Sequence, residues 1–156
     1  MTTITKGSKA PNFTAKDELG NPIQLNDYTG KVLVIYFYPK DNTPGCTQQA
    51  CNLKENYDLL LKENIAILGV SADDEQAHVK FKTKFELPFP LIPDVNKELI
   101  QLFGVWGPKK FMGKEYDGIH RTTFIIDETG VVLDVITKPK TKQHSEEILE
   151  ILKHRK

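Results

Sequence analysis

Apolar residues are distributed along the chain in two patterns, short unbroken runs and stretches at helical spacing. Residues 32–38 (VLVIYFY) and 65–70 (IAILGV) are unbroken runs, typical of strands that are buried on both faces. Between the two runs, the apolar residues recur at helical spacing: Ala50, Leu53, Tyr57, Leu60 and Leu61. The order of strand, helix and strand predicts a βαβ unit whose two strands are parallel.

The rest of the chain is divided by turn formers into further short elements. The predictions are a hairpin of residues 13–16 and 23–25, a helix at 75–85, an extended piece at 91–92, a helix at 97–103, an extended piece at 105–109, an antiparallel hairpin of 121–127 and 131–136, and a helix at 143–153. In the helix at 75–85, we expect Val79, Phe81 and Phe85 on the buried side. This succession predicts a three-layer α/β fold around a mixed sheet.

Length and composition predict one globular domain over residues 1–156. Charged residues make up 27% of the chain, and the 21 basic residues balance the 21 acidic ones, so no net field attracts nucleic acid or an anionic membrane. We interpret the basic cluster of Lys109, Lys110 and Lys114 as solvated surface.

The first residues contain no segment resembling a signal peptide, and no apolar run approaches the length of a membrane span, so we expect a cytoplasmic protein.

Both cysteines of the chain lie in the segment PKDNTPGCTQQAC, residues 39–51. Thr43 is a suitable N-cap and Pro44 suits the first helical position, which puts Cys46 at about the third position of the helix. Backbone N–H groups in a first turn have no helical partner, and the peptide dipoles place partial positive charge there. Both effects favour a thiolate, the nucleophilic form of cysteine. The alternative is a buried and inert cysteine, which is common for this residue type.

Cys51 follows Cys46 by five residues on the same predicted helix. Cα atoms five residues apart on an ideal helix are separated by about 8.6 Å, whereas a disulfide requires them within about 7 Å. If the two cysteines ever bond, the helix must therefore unwind locally. Cys46 aligns with the apolar stripe of Ala50 and Leu53, whereas Cys51 falls on the polar side, so we expect a sheltered attacking thiol and a more exposed partner.

The pattern Pro39-x-x-x-Thr43-x-x-Cys46, with Cys51 and the distant Arg121, resembles the active site of the peroxiredoxins. Within them it is similar to the bacterioferritin comigratory protein, or peroxiredoxin Q, subfamily. The similarity extends over nearly the whole chain through four flanking motifs: KAPNF at 9–13, GVSADD at 69–74, FGVWG at 103–107 and TFIID at 123–127.

The resemblance implies a thioredoxin-like fold with an N-terminal hairpin and an insertion. It also implies a peroxidase of hydrogen peroxide and organic hydroperoxides, with Cys46 as the peroxidatic nucleophile and Cys51 as the resolving cysteine. Candidate donors to the peroxide are the backbone N–H groups of Gly45 and Cys46, the Thr43 hydroxyl and the Arg121 guanidinium. For Pro39, which ends the central strand, the resemblance suggests a second role in shielding the thiolate from water. Similar proteins imply thioredoxin or a similar dithiol as reductant, a monomer, and no cofactor or metal.

Three other functions remain open at this point. A redox-dependent regulator or chaperone would use the same cysteines to change partners. A metal-binding module is weaker, because two cysteines supply half of a structural zinc site and no histidine stands at a paired ligand spacing with them. A disulfide oxidoreductase is disfavoured, because the Cys-x-x-Cys motif is absent.

Overall fold

A computed structural model describes residues 2–155 of the chain. In chain order its elements are β1 (Thr14–Lys16), β2 (Pro22–Gln24), a 3₁₀ turn (Leu25–Tyr28), β3 (Val32–Phe37), α1 (Pro44–Glu55), α2 (Tyr57–Lys62), β4 (Ile65–Ser71), α3 (Glu75–Phe85), β5 (Leu91–Pro93), α4 (Glu98–Leu102), β6 (Trp106–Phe111), β7 (Lys114–Ile119), β8 (Thr122–Ile126), β9 (Val132–Ile136) and α5 (His144–Lys153). No helix among these is both long and apolar enough to cross a lipid bilayer.

The central sheet contains five strands in the order β5-β4-β3-β8-β9. β3 pairs in parallel with β4 and antiparallel with β8, which confirms the parallel βαβ unit and the mixed sheet. All six residues of β3 are buried, because helices or loops cover both faces of the sheet at its centre. The strand therefore provides a rigid base for the loop that follows it and for α1.

Two apolar clusters lie on opposite faces of this sheet. One contains Val34 and Tyr36 from β3 together with residues from α1, α2, α3 and α5. The other contains Leu33 and Ile35 with residues from α4 and from the hairpin of β1 and β2. Successive residues of β3 thus point to opposite layers, and the prediction of a three-layer α/β fold is confirmed.

The helical stretch after residue 43 consists of two helices, not one. α1 ends at Glu55, and Asn56 caps it with φ −105° and ψ 12°. The Asn56 side-chain amide donates to the Asn52 carbonyl at 2.9 Å, which competes with continuation of the helical hydrogen-bond ladder. The break changes the phase of the apolar spacing, and Leu61, which the pattern groups with the buried residues, is 50% exposed.

The buried side of α3 also differs from the prediction. Phe81 is buried as expected, but Val79 is 39% exposed and the adjacent His78 is fully buried. A histidine can replace an apolar residue there because both of its ring nitrogens have hydrogen-bond partners, Asp41 and the Ile92 carbonyl.

The predicted extended piece at 105–109 is one strand of a hairpin that the sequence pattern does not indicate. β6 and β7 pair antiparallel from Trp106 opposite Ile119 to Phe111 opposite Lys114. Met112 and Gly113 form the turn with φ values of 51° and 81°, the left-handed geometry that joins two strands tightly. This hairpin leads the chain directly into β8 and Arg121.

Candidate active site

The N-terminus of α1 is the centre of the candidate site. Thr43 is the N-cap, Pro44 is the first helical residue, and Cys46 is therefore the third, as predicted. The Thr43 side chain, however, accepts no hydrogen bond from the first turn, and its hydroxyl donates to the Lys40 carbonyl at 2.9 Å. The backbone N–H groups of Gly45 and Cys46 consequently have no acceptor within the described residues, and they remain available to an oxygen atom of a ligand.

Arg121 connects the start of β8 to this helix. Its Nη2 donates to the Cys46 Sγ at 3.3 Å, and its Nη1 donates to the Gln49 Oε1 at 2.7 Å. The thiol is almost completely buried, with 2% of its residue surface exposed. A guanidinium held at this distance stabilises negative charge on a sulfur that has little access to water.

Gln49 is a residue of the site that the sequence analysis does not identify. It is fully buried, and it fixes the plane of the Arg121 guanidinium by accepting from Nη1. Its Nε2 is buried without a hydrogen-bond partner in the described part of the chain. The signal that could have indicated Gln49 is its spacing, since a residue three positions after Cys46 lies on the same face of the helix.

Gly45 and Pro39 are two further predicted site residues. A Cβ atom at Gly45 would lie 3.2 Å from Arg121 Nη2, so a larger residue would crowd the guanidinium. Pro39 is half-buried in the loop, two residues beyond the end of β3. Its ring carries no polar atom and can contribute only apolar surface.

Cys51 also lies on α1 and is partly exposed, in agreement with the prediction of one sheltered and one accessible cysteine. Both cysteines are free thiols. Burial and, to a lesser degree, Glu55 raise the pKa of Cys51 above its ordinary 9.0, while Lys54 lowers it. At neutral pH the Cys51 side chain is therefore a protonated thiol.

Lys109 differs from the other members of its basic cluster. Lys110 and Lys114 are exposed as predicted, but Lys109 is half-buried and its ammonium donates to the Ile119 carbonyl at 2.9 Å. Burial and the neighbouring Arg121 lower the pKa of Lys109, and Cys46 opposes this effect. The hairpin of β6 and β7 thus brings a second cation toward the thiol.

Comparison with known proteins places this arrangement in a family. The model of the AhpC/TSA family matches residues 6–135, most of the chain. The chain belongs to the AhpC/TSA family. Within this family it is a peroxiredoxin of the bacterioferritin comigratory protein, or peroxiredoxin Q, subfamily, because curated relatives of that name match along its whole length. It is accordingly a thiol-dependent peroxidase.

Relatives from two bacteria show the extent of the similarity. Peroxiredoxin Bcp from Bacillus subtilis is 45% identical over 151 residues, covering 97% of this peroxiredoxin and 96% of the relative. Peroxiredoxin Bcp from Escherichia coli is 42% identical over 153 residues, covering 98% of each.

Solved structures agree with the fold of this peroxiredoxin. A cysteine-to-serine mutant of PrxQ from Xylella fastidiosa superposes with a TM-score of 0.91 at 31% identity, covering 98% of both chains. A mutant of Peroxiredoxin Q from Xanthomonas campestris superposes with a TM-score of 0.84 at 35% identity, covering 90% of both. The thioredoxin-like fold class expected from the sequence is thereby confirmed.

Proposed function

We propose that this peroxiredoxin reduces peroxides through the Cys46 thiolate. The sulfur attacks one oxygen of the O–O bond, the S–O bond forms as the O–O bond breaks, and the other oxygen leaves as an alkoxide or hydroxide that takes up a proton. Cys46 becomes a sulfenic acid, and the peroxide is reduced to an alcohol or to water.

The contact of Arg121 Nη2 with Cys46 Sγ at 3.3 Å is the observation that carries this proposal. Negative charge moves from the sulfur to the departing oxygen during the reaction, and fixed donors near both atoms lower the barrier. The guanidinium and the free backbone N–H groups of Gly45 and Cys46 supply such donors without rearrangement. Thr43 lies beside them, and its hydroxyl retains lone pairs because it acts as a donor toward Lys40.

We propose Cys51 as the resolving residue. Its thiol would condense with the Cys46 sulfenic acid, forming the S–S bond and releasing water. The cysteines stand five residues apart on a continuous helix, an ideal Cα separation of about 8.6 Å, which exceeds the span of a disulfide. Resolution therefore requires the first turns of α1 to unwind, and Gly45 in the first turn favours this because glycine is a poor helix former.

A dithiol reductant would then restore both thiols by thiol–disulfide exchange, becoming a disulfide itself. We propose thioredoxin or a protein of similar chemistry in this role. The substrates are proposed to be hydrogen peroxide and organic hydroperoxides. The bacterioferritin comigratory protein of Xanthomonas campestris, a structural neighbour at 35% identity, is described as having alkyl peroxide reduction activity, which supports the second substrate class for this chain.

The decisive experiment is single-turnover oxidation with one equivalent of hydrogen peroxide, followed by mass spectrometry of the labelled sulfenic acid. The wild-type protein and a Cys51→Ser variant should react rapidly, whereas Cys46→Ser should not react. Rapid peroxide consumption by Cys46→Ser would overturn the proposal. A parallel assay with thioredoxin, its reductase and NADPH tests the reductant and separates a catalytic peroxidase from a redox regulator that turns over only once.

A further inference from the structure

Asp41 lies in the loop between β3 and α1 and is held by hydrogen bonds through both its side chain and its backbone. Its Oδ1 accepts from the Tyr38 hydroxyl at 2.6 Å, and its Oδ2 lies 2.6 Å from Nδ1 of His78. Its backbone N–H donates to Asp73 Oδ2 at 2.9 Å. The Asp41 carboxylate is 5% exposed and the His78 side chain is fully buried.

The hydrogen bond of the second ring nitrogen of His78 determines how many protons Asp41 and His78 hold together. Nε2 lies 3.0 Å from the Ile92 carbonyl, which can only accept, so Nε2 carries a hydrogen. The Tyr38 hydroxyl donates to the other oxygen of Asp41, since burial raises the pKa of Tyr38 well above 10.0. The Nδ1 to Oδ2 contact therefore contains one further proton, held as imidazolium with carboxylate or as imidazole with carboxylic acid. In both cases the pair is neutral overall and can be buried.

These groups do not form a metal site, although Asp41, Asp73 and His78 offer ligand atoms within 4.8 Å of one another. A metal ion would lie about 2 Å from each of its ligands. Nδ1 and Oδ2 are 2.6 Å apart, closer than the roughly 3.3 Å that separates two ligand atoms of a tetrahedral ion, and their contact is a hydrogen bond. The cluster is a hydrogen-bonded anchor.

The hydrogen-bonded anchor holds the backbone directly before the start of α1. Asn42, directly after Asp41, adopts φ 59°, a sparsely populated left-handed conformation that asparagine adopts more readily than most other residues with a side chain. Thr43 follows as the N-cap, and Cys46 is three residues further on. A sparsely populated backbone conformation persists only where its surroundings hold it, and Asp41 provides that support on one side of Asn42.

We propose that Asp41 and His78 are positioning residues for the peroxide reaction, because their buried contact fixes the loop that sets Thr43 and the first turn of α1 against Arg121. This inference rests on the proposed function of Cys46. The contact joins residues 37 apart in sequence, so α3 contributes to the geometry of the loop that leads into the site. Displacement of catalytic groups by about 1 Å lowers rates by about 100-fold.

The test compares the peroxide reaction of Cys46 with its alkylation by iodoacetamide, which needs a thiolate but no peroxide geometry. Asp41→Ala removes both side-chain contacts, and we expect the peroxide rate constant to fall about 10- to 100-fold while the alkylation rate constant stays within about twofold. Asp41→Asn keeps both contacts, since its amide nitrogen can donate to Nδ1 of neutral His78 and its oxygen can accept from Tyr38. We expect this variant to retain the wild-type peroxide rate.

His78→Leu supplies the partner variant, and the double variant Asp41→Ala/His78→Leu completes a cycle. If the two residues act as one unit, the double variant loses no more rate than the worse single variant. His154→Leu is the matched control, because His154 is exposed near the C-terminal end of the chain. Should Asp41→Ala fail to fold, Asp41→Asn and His78→Leu still decide the question.

Wild-type peroxide rates in Asp41→Ala or His78→Leu would overturn the inference. So would an equal loss of peroxide and alkylation rates, or failure of Asp41→Asn to restore the rate. If the wild-type protein itself did not react with peroxide, the proposed function would fail instead, and the two failures are thus distinguishable.

Discussion

Ser145 donates two hydrogen bonds to Asn52. Its backbone N–H lies 2.7 Å from Asn52 Oδ1, and its hydroxyl lies 3.0 Å from the Asn52 carbonyl. The Asn52 side-chain amide also donates to the Lys142 carbonyl at 3.0 Å. The start of α5 therefore holds α1 at the residue directly after Cys51, so unwinding that includes Cys51 must loosen this contact.

Ser145→Ala should accelerate disulfide formation after oxidation of Cys46. The substitution removes the hydroxyl contact with the Asn52 carbonyl, which is worth about 0.5–1.5 kcal/mol, so the unwound state becomes up to about tenfold more populated. Stopped-flow fluorescence or quenched mass analysis after one equivalent of peroxide measures the rate. Ser8→Ala is the control, because the Ser8 side chain bonds to Thr5 near the N-terminus; an unchanged or slower rate in Ser145→Ala would contradict the expectation.

Arg121→Lys should lower the rate of Cys46 oxidation by about 100-fold or more. An ammonium is a single charged centre, so it cannot reproduce the fork that donates to Cys46 and to Gln49 simultaneously. Peroxide consumption under single-turnover conditions measures the effect. Arg155→Lys is the matched control, since Arg155 pairs with Glu128 elsewhere on the surface. Similar rates for both variants would remove Arg121 from the mechanism.

Cys51→Ser should leave the first reaction with peroxide intact and abolish recycling by thioredoxin. The reason is that the sulfenic acid on Cys46 then has no second thiol in the chain with which to condense, so it accumulates and becomes sensitive to further oxidation by excess peroxide. NADPH consumption and the mass of the oxidised protein report the two parts of the prediction. Undiminished NADPH turnover would show that Cys51 is not the resolving residue.

The stability of the protein should decrease as the pH falls below about 6.5, and His144 should account for part of the decrease. Burial lowers the pKa of His144 below its ordinary 6.5, although Glu147 opposes the shift and Arg121 adds to it. The folded state thus prefers the neutral ring, which lies against Tyr36 and bonds to Thr123. As the pH falls, the unfolded state takes up the proton before the folded state does. The stabilisation is therefore fully present above the ordinary pKa of histidine and is lost as the pH falls through the pKa of His144 in the folded protein.

Urea unfolding at a series of pH values tests this assignment. His144→Gln should reduce the slope of unfolding free energy against pH in the acidic range. His154→Gln is the control, because the His154 side chain is 70% exposed. An identical slope in wild type and His144→Gln would contradict the prediction.

Tyr36→Phe should stabilise the protein, whereas Tyr38→Phe should destabilise it. The Tyr36 hydroxyl is buried without a hydrogen-bond partner among residues 2–155, and such a group costs about 1–3 kcal/mol. The Tyr38 hydroxyl is also buried but donates to Asp41. Thermal unfolding of the two variants provides the comparison, and a lower unfolding temperature for Tyr36→Phe would contradict the expectation.

Features determined by local pattern were accessible from the sequence. The run at 32–38 predicted the central strand because residues covered on both faces must be apolar, and Thr43 and Pro44 located the start of α1. The burial of Cys46 followed from helical spacing. These inferences needed no knowledge of distant parts of the chain.

Features that depend on distant partners were not accessible in the same way. His78 is buried only because Asp41 and Ile92 satisfy its nitrogens, so the pattern of α3 alone favours Val79. β7 is exposed along most of its length, and its pairing with β6 leaves no apolar alternation to detect. The position of Arg121 beside Cys46, 75 residues away, was expected only from the family resemblance.

Both cysteines lie on one short stretch of α1, between its capped start and the residue held by α5. A bond between the two sulfurs cannot form without altering the outline of this stretch. The disulfide and dithiol forms would therefore differ in shape as well as in chemistry. A reducing protein could distinguish them without a separate docking domain.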